Sequence, residues 1–194
     1  SYFYSTNTEL ADPGLWVHLF GGSTADVEIS GQPVRIRQET LYPWDGRVEI
    51  ELQPRQPVTF TLHLRVPGWC ENYQVEINGR HTALHPGPGG YLEITREWQP
   101  GDKISYQMEM PIRPVFANPA VRQLQGRVAI QRGPIVYCLE GADHGGIILD
   151  RISIDPSDIQ KSFSVEYRPD LLGGVSIIHG EGRVIDDSGW GDAL

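Results

Sequence analysis

The 194-residue chain predicts an all-β protein built as two consecutive antiparallel β-sandwich domains of jelly-roll-like character. Three observations carry this. Val58, Phe60, Leu62, Leu64 and Val66 alternate strictly with Thr59, Thr61, His63 and Arg65, the period-2 pattern of a strand with one buried face. The 22 glycines and 15 prolines punctuate a series of short apolar runs, as turns do between strands. The length suits two sandwiches of about 100 residues each.

Taken in order, Ser1 to Thr6 (SYFYST) reads as the end of a preceding helix, so residues 1–14 are expected to be a helix remnant and linker. Leu15–Phe20, Ala25–Ser30 and Pro33–Glu39 read as short strands separated by Gly21-Gly22 and Ser30-Gly31. Leu41 to Gly46 (LYPWDG) is a compact turn, with proline fixing one φ and Asp-Gly suited to a tight reversal. Strand Arg47–Gln53 follows, then the central strand over 58–66. Burying its five apolar side chains is worth roughly 1.5–3 kcal/mol each, so neighbouring strands are expected to cover it. Pro67-Gly68 stops that ladder. Tyr73–Ile77, the hairpin pair Asn78-Gly79, Tyr91–Thr95 and Lys103–Met110 complete a first sandwich over 15–116.

Pro111 to Pro119 holds three prolines and reads as a connector, which places the domain boundary near residue 116. Beyond it Arg127–Gln131, Ile135–Glu140, Ser162–Arg168 and Val175–Ile178 are strand candidates of a second, smaller sandwich over 117–194, and Asp155–Lys161 has the Asp-Pro start of a helical turn. The closing residues Trp190–Leu194 supply no last strand, so this sandwich is expected to be short of one.

Composition narrows the function classes. A net charge of -9 disfavours a phosphate-backbone partner, so no nucleic acid is expected. No run approaches the roughly 18 apolar residues of a membrane span, and the start has no basic-then-apolar leader pattern, so no membrane partner is expected either. Cys70 and Cys138 are too few for a disulfide framework, lack the close ligand spacing of a zinc site, and sit comfortably with a reducing cytoplasm.

Candidate chemistry is sparse. Trp44, Asp45, Trp69, Tyr91 and Trp98 lie near loops and form a candidate carbohydrate-binding set, because flat aromatic faces stack on C–H-rich sugar surfaces. Tryptophan is equally a sandwich core residue. Asp45 with Glu49, or Glu93 with Glu97, are the carboxylate pairs a glycosidase would need, although alternating acids on the wet face of strands explain them more simply. His18, His63, His81, His85, His144 and His179 are scattered without metal-ligand spacing.

Several stretches, in order, resemble one family: LWVHLFGGSTADV (15–27), QETLYPWDGRVEIEL (38–52), FTLHLRVPGWC (60–70), VEING (75–79), GYLEITREWQPGDKI (90–104) and GRVAIQRGPIVYCLEGAD (126–143). The chain is similar to the β-L-arabinofuranosidases of glycoside hydrolase family 127 over residues 1 to about 143. The resemblance implies a C-terminal region, two β-sandwiches that follow an (α/α)6 catalytic barrel in a retaining enzyme acting on plant glycans. In that family a cysteine thiolate is the nucleophile, zinc is held by cysteines and a glutamate, and a glutamate is the acid/base, all in the barrel. The family's adjacent cysteine pair is absent, and neither Cys70 nor Cys138 matches a ligand position. No catalytic or metal residue is therefore assigned here, and zinc is expected only in the barrel. The expected partners are that barrel and arabinose-containing glycans, with a non-catalytic accessory role or, as the alternative, an independent carbohydrate-binding module.

Overall fold

The computed structural model describes residues 2–6 and 13–185, and it divides the chain into two compact units, Ser1–Met110 and Pro111–Leu194. The first unit carries ten strands: β1 Phe3–Thr6, β2 Gly14–Val17, β3 Ser23–Ile29, β4 Gln32–Thr40, β5 Arg47–Pro54, β6 Val58–Arg65, β7 Tyr73–Ile77, β8 Arg80–His81, β9 Tyr91–Trp98 and β10 Asp102–Met108. They form a four-stranded sheet in the order β1-β2-β6-β9 and a six-stranded sheet in the order β3-β4-β5-β10-β7-β8.

The inner faces of both sheets share one core. Val58, Phe60, Leu62 and Leu64 of β6 are buried, as are Val34 and Ile36 of β4, Val48, Ile50 and Leu52 of β5, and Ile104, Tyr106 and Met108 of β10. The expected alternation therefore holds, and β6 lies between β2 and β9 as a central strand. Two tight reversals have the glycine-bearing chemistry that mirror-image turns demand: Ser30-Gly31 and Asn78-Gly79 all have positive φ. Asn78 is also tied down by its side chain, which donates to Asp102 Oδ1 at 2.8 Å and accepts from the Lys103 amide at 2.9 Å.

Three expectations are corrected here. Phe3–Thr6 is not a helix end but an edge strand, antiparallel to β2 with Tyr4 opposite Trp16, in keeping with the preference of aromatic side chains for pleated surfaces. The β2–β6 pair is parallel, with Trp16 opposite His63, whereas every other ladder among the described residues is antiparallel. The chain between β2 and β6 passes through β3, β4 and β5 of the other sheet, which is the long crossover a parallel pair requires. Finally, the proline-rich stretch is no connector: β11, Ile112–Phe116, pairs with β12, Val128–Arg132, and the units divide at Met110–Pro111 rather than near 116. Pro114 is tolerated because β11 is an edge strand, where a missing N–H need not break a ladder.

In the second unit β13, Ile135–Tyr137, completes a three-stranded sheet with β11 and β12. β14 (Ile152–Ser153) pairs with β17 (Arg183–Val184), and β15 (Ser164–Arg168) with β16 (Val175–His179). A single α-helical turn among the described residues, α1, covers Ile159–Ser162 and buries Ile159. Trp190–Leu194, where a closing strand was expected to be missing, lies outside the described residues. No helix among the described residues is long and apolar enough to cross a membrane.

Candidate functional site

Two neighbourhoods of the first unit gather side chains capable of recognition. The first is the turn between β4 and β5. Thr40 Oγ1 accepts the Tyr42 amide at 2.9 Å, the Trp44 amide donates to the Leu41 carbonyl at 2.8 Å, and Asp45 Oδ1 accepts the Arg47 amide at 2.8 Å. Gly46 is required by close approach: a Cβ there would stand 1.9 Å from the Met108 carbonyl oxygen. The turn so built presents Leu41, 56% exposed, and half-buried Trp44 at its tip. It turns Tyr42 inward, stacked on Trp69 of the β6–β7 loop at 6.4 Å and edge-on to Phe20 at 5.7 Å. Burial of Tyr42 pushes its phenol above the usual range, partly offset by a hydrogen bond with Trp69.

The second neighbourhood is the outward face of the four-stranded sheet. Tyr4, Trp16, His63 and Glu93 stand opposite one another across β1, β2, β6 and β9. The Trp16 and His63 rings are parallel, 4.1 Å apart and inclined by 4°. Tyr4 lies 5.7 Å from Trp16 at 57° and 6.5 Å from His18, whose Nδ1 meets the Tyr91 hydroxyl at 2.7 Å. Gly14 makes room for this row, since a Cβ there would press to 2.7 Å of the Trp16 ring. His63 Nδ1 is 3.8 Å from Glu93 Oε1, yet burial of the imidazole outweighs that carboxylate and holds its pKa below the ordinary 6.5.

The expected sugar-binding set does not come together. Trp44 and Asp45 share the β4–β5 turn, where Asp45 is spent on the Arg47 amide. Trp69 gives one face to Tyr42. Tyr91 belongs to the ring row through His18. Trp98 is corrected outright: it is fully buried, donates Nε1 to the Phe60 carbonyl at 3.1 Å and packs against Phe60 at 5.7 Å, so no sugar reaches it. Tyr91 and Trp98 also sit at opposite ends of eight-residue β9, about 23 Å apart at ~3.3 Å per residue.

The carboxylate pairs fare no better as catalysts. Glu93 and Glu97 project from the same side of β9 about 13 Å apart by the same rise, beyond the ~9.5 Å that glycoside hydrolysis tolerates. Glu49 Oε1 accepts from Arg47 Nε at 2.7 Å and Ser105 Oγ at 2.8 Å. A 120 Å³ depression beside it, lined by Arg37, Glu39, Glu49, Ile50, Glu51 and Lys103, is smaller than the roughly 300 Å³ that ligand pockets begin at. Among the described residues no three His, Cys, Asp or Glu side chains converge as metal ligands. Cys70 is buried with its thiol donating to the Asn72 carbonyl at 3.3 Å, and Cys138 is exposed in the second unit.

Sequence reading missed the ring row. Trp16 and His18 were visible as outward positions of LWVHLF and His63 as one of the central strand, but only the parallel β2–β6 pairing brings Trp16 onto His63.

Comparison with known proteins supplies the context. Residues 14–110 match the family model "Beta-L-arabinofuranosidase, GH127 middle domain", and residues 112–172 match "Glycoside hydrolase family 127 C-terminal domain". The chain is 31% identical over 165 residues to a non-reducing end β-L-arabinofuranosidase of Bifidobacterium longum, covering 83% of this chain and 24% of that protein. Its structure is similar to that of a GH127 β-L-arabinofuranosidase from Geobacillus stearothermophilus T6, with a TM-score of 0.86 and 41% identity over 98% of this chain and 29% of the other. A GH127 β-arabinofuranosidase structure aligns with a TM-score of 0.79 at 31% identity, over 91% of this chain and 30% of the other. The chain thus spans 24–30% of the length of these relatives.

Proposed function

The chain belongs to glycoside hydrolase family 127, matching its middle and C-terminal domains, and from that premise we propose that it is a non-catalytic accessory region of a longer glycoside hydrolase acting on β-L-arabinofuranosides or related plant glycans. The observation that carries this reading is the use already made of each candidate carboxylate: Asp45 holds a turn, Glu49 accepts from Arg47 and Ser105, Glu93 faces His63, and Glu97 accepts from Gln99 Nε2 at 3.0 Å. The work of the region is then mechanical. It braces the catalytic barrel of the parent chain, and the Leu41–Gly46 turn offers Leu41 and Trp44 to the rim of the active site. A second reading, independent glycan binding, draws on Trp44 at that tip, with Trp69 already stacked on Tyr42.

The test is a Glu49→Gln, Glu97→Gln double variant of the full-length parent, which breaks both candidate carboxylate pairs. Its kcat on p-nitrophenyl β-L-arabinofuranoside is expected to stay within about twofold of wild type. A loss beyond about 100-fold, the scale of a missing acid or base, would move the chemistry into this chain.

A further inference from the structure

We infer that the outward ring row of the four-stranded sheet, Tyr4, Trp16, His63 and Tyr91 with Glu93 at its end, is the seat of the polypeptide that precedes the middle domain in the longer members of the family. The inference rests on the reading of this chain as part of such a protein and names the face through which it is held.

Three observations point to that occupant. The relatives are three to four times longer than the chain, and the matched regions are by name a middle and a C-terminal domain, so the remaining length includes a domain before residue 14. The polypeptide upstream of that match already runs onto this sheet: β1 lies outside the middle-domain match, forms the sheet's edge, and adds Tyr4 to the row. The rings also engage one another: Trp16 is stacked on His63 at 4.1 Å, Tyr4 lies 5.7 Å from Trp16 at 57°, and His18 stands edge-on to Tyr91 at 5.8 Å. A sugar stacks on an open ring face, and the Trp16–His63 stack already takes one face of each of those two rings.

The opposite sheet offers a contrast within the same unit. Its outward face is laced with ion pairs, Asp26 with Arg35 at 2.8 Å and Arg47 with Glu49 at 2.7 Å, and carries exposed Lys103. Charged faces of this kind are at ease in water, whereas contiguous aromatic ones mark contacts.

The experiment introduces one cysteine at a time, at Glu93 or at Lys103, into a Cys138→Ser background that keeps buried Cys70, in both the 194-residue chain and the full-length parent. Maleimide labelling is followed at each site by peptide mass spectrometry, and circular dichroism checks that each variant folds. Glu93→Cys is expected to label at least tenfold more slowly in the full-length protein, and Lys103→Cys within twofold at either length. Equal labelling of Glu93→Cys at both lengths overturns the inference, as does equal slowing of Lys103→Cys, which would remove the face preference. Protection of Glu93→Cys in the 194-residue chain by added arabino-oligosaccharide overturns it too, in favour of a sugar site. Failure of the accessory reading is seen separately, as glycosidase activity of the 194-residue chain, and leaves the labelling contrast untouched.

Discussion

His63 illustrates how a single side chain is set by its neighbours. Flanked by the Trp16 ring and with its side chain 14% exposed, it loses more from desolvation of its cation than the 62% exposed Glu93 returns, so its pKa falls. A folded-state pKa below the unfolded value means that the unfolded chain binds the proton more readily. Stability is then fully present above about 6.5, the unfolded value, and declines as pH falls from there toward the lowered folded value. Urea unfolding of the 194-residue chain is expected to give a lower midpoint at pH 5 than at pH 7.5, with a flatter profile for His63→Gln; the same slope in both would assign it elsewhere. Trp98 makes the complementary case. Trp98→Ala is expected to cost about 3–5 kcal/mol by denaturant titration, and a cost below ~1 would contradict its place in the core. Its burial was legible: Leu92 and Ile94 share its parity on β9, and ending the strand at Thr95 hid that. Arg96, of the same parity, stays half-exposed by laying its guanidinium over the Trp98 ring at 5.2 Å.

Among the elements, the β4–β5 turn depends on one glycine. Gly46→Ala drives a Cβ against the Met108 carbonyl, a backbone atom that cannot step aside, and is expected to destabilise the first unit by about 1–3 kcal/mol. Gly68→Ala meets nothing within 4 Å and is expected to stay within about 0.5 kcal/mol. Equal denaturation midpoints for the two variants would contradict the packing described. Elements with a clear period were readable in advance: β4, β5, β6 and β10 follow their apolar alternation nearly residue for residue. Those decided by partners were not. β1 becomes a strand because β2 offers it an edge, and β11 keeps Pro114 because it has only one neighbour. The ring row was hidden for the same reason: alternation tells which face a residue takes, not which strand lies beside it.

Over the whole chain the two units are held together unequally. The first buries a continuous core running from Leu15 through Trp98 to Met108. Among the described hydrophobic residues of the second, only Ile112 and Ile159 are buried, while Phe116, Val136, Ile148 and Leu172 are more than half exposed. Amide hydrogen exchange of the 194-residue chain is accordingly expected to be slowest in β5, β6 and β10 and at least tenfold faster in β12 and β16; uniform protection would contradict this division. Family membership was legible from short stretches such as YPWDG and RVPGWC, both within the middle-domain match, and the proposed division of labour within a longer protein rests on that match. The most direct check of that division is hydrolysis of p-nitrophenyl β-L-arabinofuranoside, with zinc and a reducing agent present, by the 194-residue chain beside the full-length parent. The account predicts turnover by the parent and none above the blank by the 194-residue chain. Turnover by the 194-residue chain that is lost in its Glu49→Gln, Glu97→Gln variant would contradict it.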